Sequence, residues 1–133
     1  MITEDYVSFK TAKLLNEKGF DEKGVKVWYD ESGEMYYDRR EIKYQVKIEN
    51  HEKFFQCPTL QMAMKWLRDV HNLIISFKFT IHGWICDITK IFRDSNGFIV
   101  NINHGIDDDA FTYYDECEKA CDIAIKYCLE NLI

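Results

Sequence analysis

A chain of 133 residues that is 47% apolar and 30% charged, with a single proline, is one domain's worth of folding sequence and leaves little room for a disordered linker. No apolar run approaches the roughly 20 residues a membrane-spanning helix needs, and Met-Ile-Thr-Glu-Asp has neither region of a secretory leader, so a cytoplasmic protein is expected. The net charge of −6 resides in residues 106–133, where eight acids stand against Lys119 and Lys126; such a surface repels phosphate backbones and anionic lipids and suits a basic partner.

The first predicted element is a helix over 7–20. Ser8 is placed to cap it, Val7 and Ala12 to staple its start, and Gly19 with Phe20 to close it in a Schellman turn that folds Phe20 onto Leu15. Val25 to Asp30 alternates as a strand, and Glu31-Ser32-Gly33-Glu34 turns it into Met35-Tyr36-Tyr37 as a hairpin. Ile42 to Ile48 alternates without a fault and predicts a third strand, with Glu49 to Gln56 as a connection whose Phe54 and Phe55 cover an edge of the core.

The central helix follows Pro58, with Thr59 as its N-cap and Asn72 as a left-handed stop. Gln61, Lys65, Arg68 and Asp69 fall on one narrow face, and apolar residues from Leu60 to Val70 cover the remainder. So wide an apolar arc implies core contact on two sides, or a partner or homodimer surface containing Trp66 and Met62.

Beyond it, Ile75, Phe77, Phe79 and Ile81 alternate with polar residues, Gly83 allows a tight turn, and Trp84 to Phe92 returns as a strand that slips near Thr89 as a bulge would make it. Asn96-Gly97 turns this into a third strand from Phe98 to Asn103. Thr112 and Asp115 then resemble a capping box that opens the last helix. On that helix Tyr114, Cys117, Cys121, Ala124, Ile125, Cys128 and Leu132 share one side, and Asp115–Lys119 and Asp122–Lys126 have ion-pair spacing on the other.

The expected fold is therefore α+β, with antiparallel sheet packed on helices in the order α-β-β-β-α-β-β-β-α. It is read as one domain over 1–133, divisible into 1–57 and 58–133 around the shared central helix. The second half has the element order of a double-stranded RNA-binding domain. Such domains resemble one another through a basic start to the last helix, whereas Tyr113, Tyr114, Asp115, Glu116 and Glu118 stand here, so nucleic acid is not the expected partner.

Chemistry-bearing patterns are few. Five cysteines with no CxxC pair read as reduced thiols, and Cys117, Cys121 and Cys128 on one helix face read as small buried hydrophobes rather than metal ligands. Asp107-Asp108-Asp109 lacks the spacing of a calcium loop. His82 and His104 with Cys86 or Asp87 are the residues from which a small enzyme would be built, but no catalytic motif supports them. No catalytic residue, metal or cofactor is expected.

Three segments carry a resemblance: Thr11-Ala12-Lys13-Leu14 with Glu17 to Asp21, Pro58-Thr59-Leu60 with Lys65 to Asn72, and the aromatic-acidic opening of the last helix. Together the chain resembles a family of small uncharacterised proteins encoded by gut Bacteroides and their phages or prophages. The resemblance implies a setting and no activity. The leading expectation is a non-enzymatic phage or mobile-element accessory protein that acts by protein–protein contact, through Trp66 and Met62 or through Asp115, Glu116, Glu118 and Asp122. A nucleic-acid module and a small His/Cys enzyme are the alternatives.

Overall fold

The computed structural model describes residues 5–37, 53–93, 95–96, 99–104 and 114–133. It is an α+β fold whose chain divides into two compact units, Met1–Thr59 and Leu60–Ile133. Among the described residues no helix is long and apolar enough to cross a membrane.

In the first unit, helix α1 (Phe9–Glu17) forms as its caps dictate. Ser8 accepts from the Thr11 amide at the start. At the end Gly19 adopts a φ of 95°, and the Phe20 amide reaches the Leu15 carbonyl while that of Gly19 reaches Asn16. This is the Schellman pattern, with Phe20 and Leu15 both buried. Strands β1 (Trp28–Asp30), β2 (Met35–Tyr36) and β3 (Phe54–Gln56) make an antiparallel sheet in the order β2-β1-β3. The hairpin is as expected, although β1 begins three residues later than Val25.

Phe54 to Gln56, expected as connection, is instead a strand. Trp28 pairs Gln56, Tyr29 pairs Phe55 and Asp30 pairs Phe54, so two aromatics that suit a pleated, half-buried surface supply the second neighbour of β1. The strand expected over Ile42 to Ile48 lies outside the described residues. Phe9 seats α1 on this sheet, its ring 5.4 Å from Tyr29 and 6.1 Å from Phe55.

The second unit opens with α2 (Leu60–His71), stopped by Asn72 at a φ of 58°. Gln61, Lys65, Arg68 and Asp69 are exposed as expected, and Leu60, Ala63, Trp66 and Leu67 are buried. The buried arc is narrower than the apolar one, because Val70 is exposed and Met62 and Met64 are half-buried. Strands β4 (Leu73–Thr80), β5 (Gly83–Arg93) and β6 (Ile99–His104) form an antiparallel meander in that order. The bulge expected near Thr89 is absent: register runs unbroken from Leu73↔Lys90 to Thr80↔Gly83 and from Ile88↔His104 to Arg93↔Ile99. Thr89 is simply a half-buried residue opposite Ile74, and its polarity mimicked a slip.

Helix α3 (Cys117–Asn131) starts later than a capping box at Thr112 would place it. The reason is Tyr114, whose backbone exchanges two hydrogen bonds of 2.8 Å with Trp84 and so stays extended. Thr112 lies outside the described residues, and Asp115 precedes the helix, so no Asp115–Lys119 helical pair forms. Lys126 instead meets Glu130 at 3.5 Å. Ala120 and Leu129 join the buried side with Cys121, Ala124, Ile125 and Cys128. Both helices contact each other and the β4–β5 pair.

Candidate functional site

Strand pairing sets which side chains share a face. Odd-numbered residues of β4 stand with even-numbered residues of β5, so Leu73, Ile75, Phe77 and Phe79 line one face with Ile88, Cys86 and Trp84. Leu73, Ile88 and Cys86 are buried. The face then runs out of cover. Phe77 is 48% exposed, Phe79 is 68% exposed and Ile81, at the turn, is 94% exposed.

Length accounts for this. The 11 residues of β5 span about 36 Å, whereas the 12 residues of α2 span about 18 Å and the 15 of α3 about 22 Å. One end of the hairpin overhangs. There the Trp84 ring collects Phe79 at 5.3 Å and Phe77 at 6.1 Å, so the aromatics cover one another in part. Thr80 Oγ1 accepts from the His82 amide at 3.1 Å and donates to the Gly83 carbonyl at 2.9 Å, which holds the turn in shape.

The acids that the sequence singled out stand beside this end. Tyr114 is paired to Trp84, so Asp115 and Glu116, both exposed, follow directly from the aromatic cluster, and Glu118 is exposed on the first turn of α3. Asp122 is half-buried one turn further on. Trp66 and Met62 are elsewhere, on α2. Trp66 is only 8% exposed, its ring set edge-on to His71 at 4.7 Å, and Met62 is half-buried, so this pair offers a partner little surface.

The groups from which an enzyme would be built are not gathered. His82 is exposed at the hairpin turn, while His104 pairs with Ile88, six residues along β5 from it, a separation of roughly 20 Å. Cys86 is buried against α3, beside the Cys121 thiol. The Cys86 contact and burial push Cys121 up strongly. Burial and the neighbouring Cys121 raise Cys117 to about 11, and burial raises Cys128 to about 12. Thiols held protonated are poor nucleophiles and poor metal ligands. Among the described residues no three His, Cys, Asp or Glu side chains form a group able to hold a metal ion.

Sequence reasoning missed Phe77, Phe79 and Ile81 as surface residues. Their alternation reads as a buried face, and only the mismatch between strand and helix lengths betrays the overhang. Comparison with protein-family models, curated proteins and solved structures finds no match for the chain.

Proposed function

We propose that this chain is a non-enzymatic binding module that works by protein–protein contact, in the manner of a cytoplasmic phage or mobile-element accessory protein, and that the overhanging end of the β4–β5 hairpin is its contact surface. One observation carries the reading: Phe77 and Phe79 stand open around Trp84 on the paired strands β4 and β5. Burying a Phe side chain is worth about 1.5–3 kcal/mol, and contiguous exposed apolar surface marks interaction sites. Aromatics are also the residues that dominate binding energy at protein interfaces. The exposed Asp115, Glu116 and Glu118 beside the cluster supply a polar rim, and they oppose the nucleic-acid alternative, which needs bases at the opening of that helix.

The test compares the wild-type chain with a Phe79→Ser, Ile81→Ser variant of the same thermal stability. Both are immobilised as bait for host lysate and also weighed by light scattering across concentration. The reading expects an association, with itself or with a captured protein, that the wild type makes and the variant loses. A wild type that associates with nothing, or a variant that associates equally well, overturns it.

A further inference from the structure

We propose that the partner of this surface is a second copy of the chain, joined through strand β4 in an antiparallel β4–β4 pair about a two-fold axis at Phe77. The inference rests on the contact reading above and names its occupant. Among the described residues β4 is hydrogen-bonded to β5 along its full length and to nothing on its other edge. Four consecutive residues, Ser76 to Phe79, are exposed along that edge.

Edges in soluble proteins are usually blunted by proline, bulges, short length or inward charges. Here the strand is eight residues long, Leu-Ile-Ile-Ser-Phe-Lys-Phe-Thr, with unbroken register, no proline and one charge, Lys78. Such an edge is a template for another strand, and its own copy is always present at equal concentration.

The side chains choose the register. A two-fold at Phe77 sets Phe77 opposite its symmetry mate, Phe79 opposite Ile75, and Lys78 opposite Ser76. Aromatic and β-branched pairs then lie on the shared apolar face, and the polar residues meet on the other. Moving the axis to Lys78 would set two ammonium groups directly opposite, which is unfavourable. The exposed parts of Phe77, Phe79 and Ile81 amount to roughly 400 Å² per copy. That is most of the apolar share of an interface burying about 800 Å² a side, before the strand edge itself is counted. Asp115 and Glu116 sit on the side of β5 away from β4, since Trp84 pairs with β4 on one edge and with Tyr114 on the other. The acids of the two copies therefore do not face one another across the axis.

Light scattering of the whole chain across concentration reads the mass. The expected result is a doubling of 15.9 kDa with a dissociation constant of about micromolar order, weakened at least about tenfold by Phe79→Lys. Because Phe77→Cys and Ile81→Cys variants are at exposed positions, a short bis-maleimide then reports the register. Crosslinked dimer is expected from Phe77→Cys above the wild-type background and not from Ile81→Cys, whose copies lie roughly 26 Å apart in this register. A monomer at ~100 μM, a dimer indifferent to Phe79→Lys, or crosslinking from Ile81→Cys alone overturns the proposal. A monomer that still captures a different protein through the hairpin overturns only the self-pairing, and a monomer that captures nothing overturns the contact reading with it.

Discussion

The Tyr36 hydroxyl donates to Oδ2 of Asp30 at 2.9 Å, closing a ring of hydrogen bonds around a carboxylate that is 1% exposed. Oδ1 accepts from the Ser32 amide, the Ser32 hydroxyl and the Glu34 amide at 2.6–3.0 Å. The β1–β2 turn is thus wound on one side chain. Burial alone raises the Asp30 carboxyl, but the bonds from Ser32, Glu34 and Tyr36 outweigh it and bring the carboxyl from 3.8 to about 2.

A carboxyl lowered on folding stabilises the fold fully above its unfolded value, and that contribution is lost as pH falls through the folded one. Asp30 therefore contributes about 2 kcal/mol above pH 3.8, fading toward pH 2. Tyr36→Phe removes one charge-assisted bond and is expected to cost about 1.5–3 kcal/mol at neutral pH and less near pH 2. Urea unfolding at both pH values measures the difference.

Asn16 does for β3 what a strand would. Its Nδ2 donates to the Gln56 carbonyl at 3.2 Å and its Oδ1 accepts from the Gln56 amide at 3.3 Å, while the Gln56 side chain makes the same two-way pairing with the Glu22 backbone. Asn16→Leu leaves a backbone donor and acceptor without partners and is expected to cost about 2–3 kcal/mol. Asn16→Asp keeps the acceptor and loses the donor, so it should fall between the two in chemical unfolding.

Most of the fold was legible because its signals are local. Ser8, Gly19, Asn72 and the alternation of β4 and β5 depend on neighbours in sequence, and the structure has the helix ends and hairpins they specify. What was not legible depends on distant residues. Phe54 to Gln56 is a strand because Asn16 and β1 offer it partners. The late start of α3 follows from Tyr114 pairing with a residue 30 positions earlier. The candidate surface was hidden for the same reason, since exposure of Phe79 is set by how far two helices reach.

Two glycines share a backbone need and differ in surroundings. Gly19 and Gly33 have φ of 95° and 90°, where any L side chain is strained. A Cβ at Gly19 would meet open space, but one at Gly33 would sit 3.3 Å from Cδ1 of Phe9. Gly19→Ala should cost about 1–2 kcal/mol, from the backbone alone. Gly33→Ala should cost more, because it also lifts the ring that seats α1 on Tyr29 and Phe55. Thermal melts of the pair, with Phe9→Leu as the background that relieves the second term, separate the contributions.

Buried thiols should be slow to alkylate. Cys57, Cys86, Cys121 and Cys128 are buried, and Cys117, half-buried, is raised to about 11. Native protein treated with N-ethylmaleimide at pH 7 should take up label at Cys117 first and slowly, with all five cysteines labelling only once the chain is unfolded. Intact mass against time checks this, and rapid labelling of Cys121 in the native chain would contradict the packing of α3 on β5.

His71 gives the second unit an acid sensitivity at a higher pH than Asp30 gives the first. Its Nε2 is buried with no hydrogen-bond partner among the described residues, and its ring lies edge-on to Trp66. Burial first and the charge of Lys90 second hold the imidazole below its usual 6.5. Above that value the folded and unfolded chains both carry it neutral, and it exerts no pH-dependent effect. As pH falls below 6.5 the unfolded chain takes up a proton that the folded one refuses, so stability declines until the folded imidazole itself titrates. His71→Phe replaces the ring without the titrating nitrogens and should flatten this decline. Urea midpoints at pH 7.5 and 5.5 are expected to separate for the wild type and to converge for the variant. A wild type equally stable at both would mean that the imidazole finds a proton acceptor on protonation and that its burial carries no electrostatic cost.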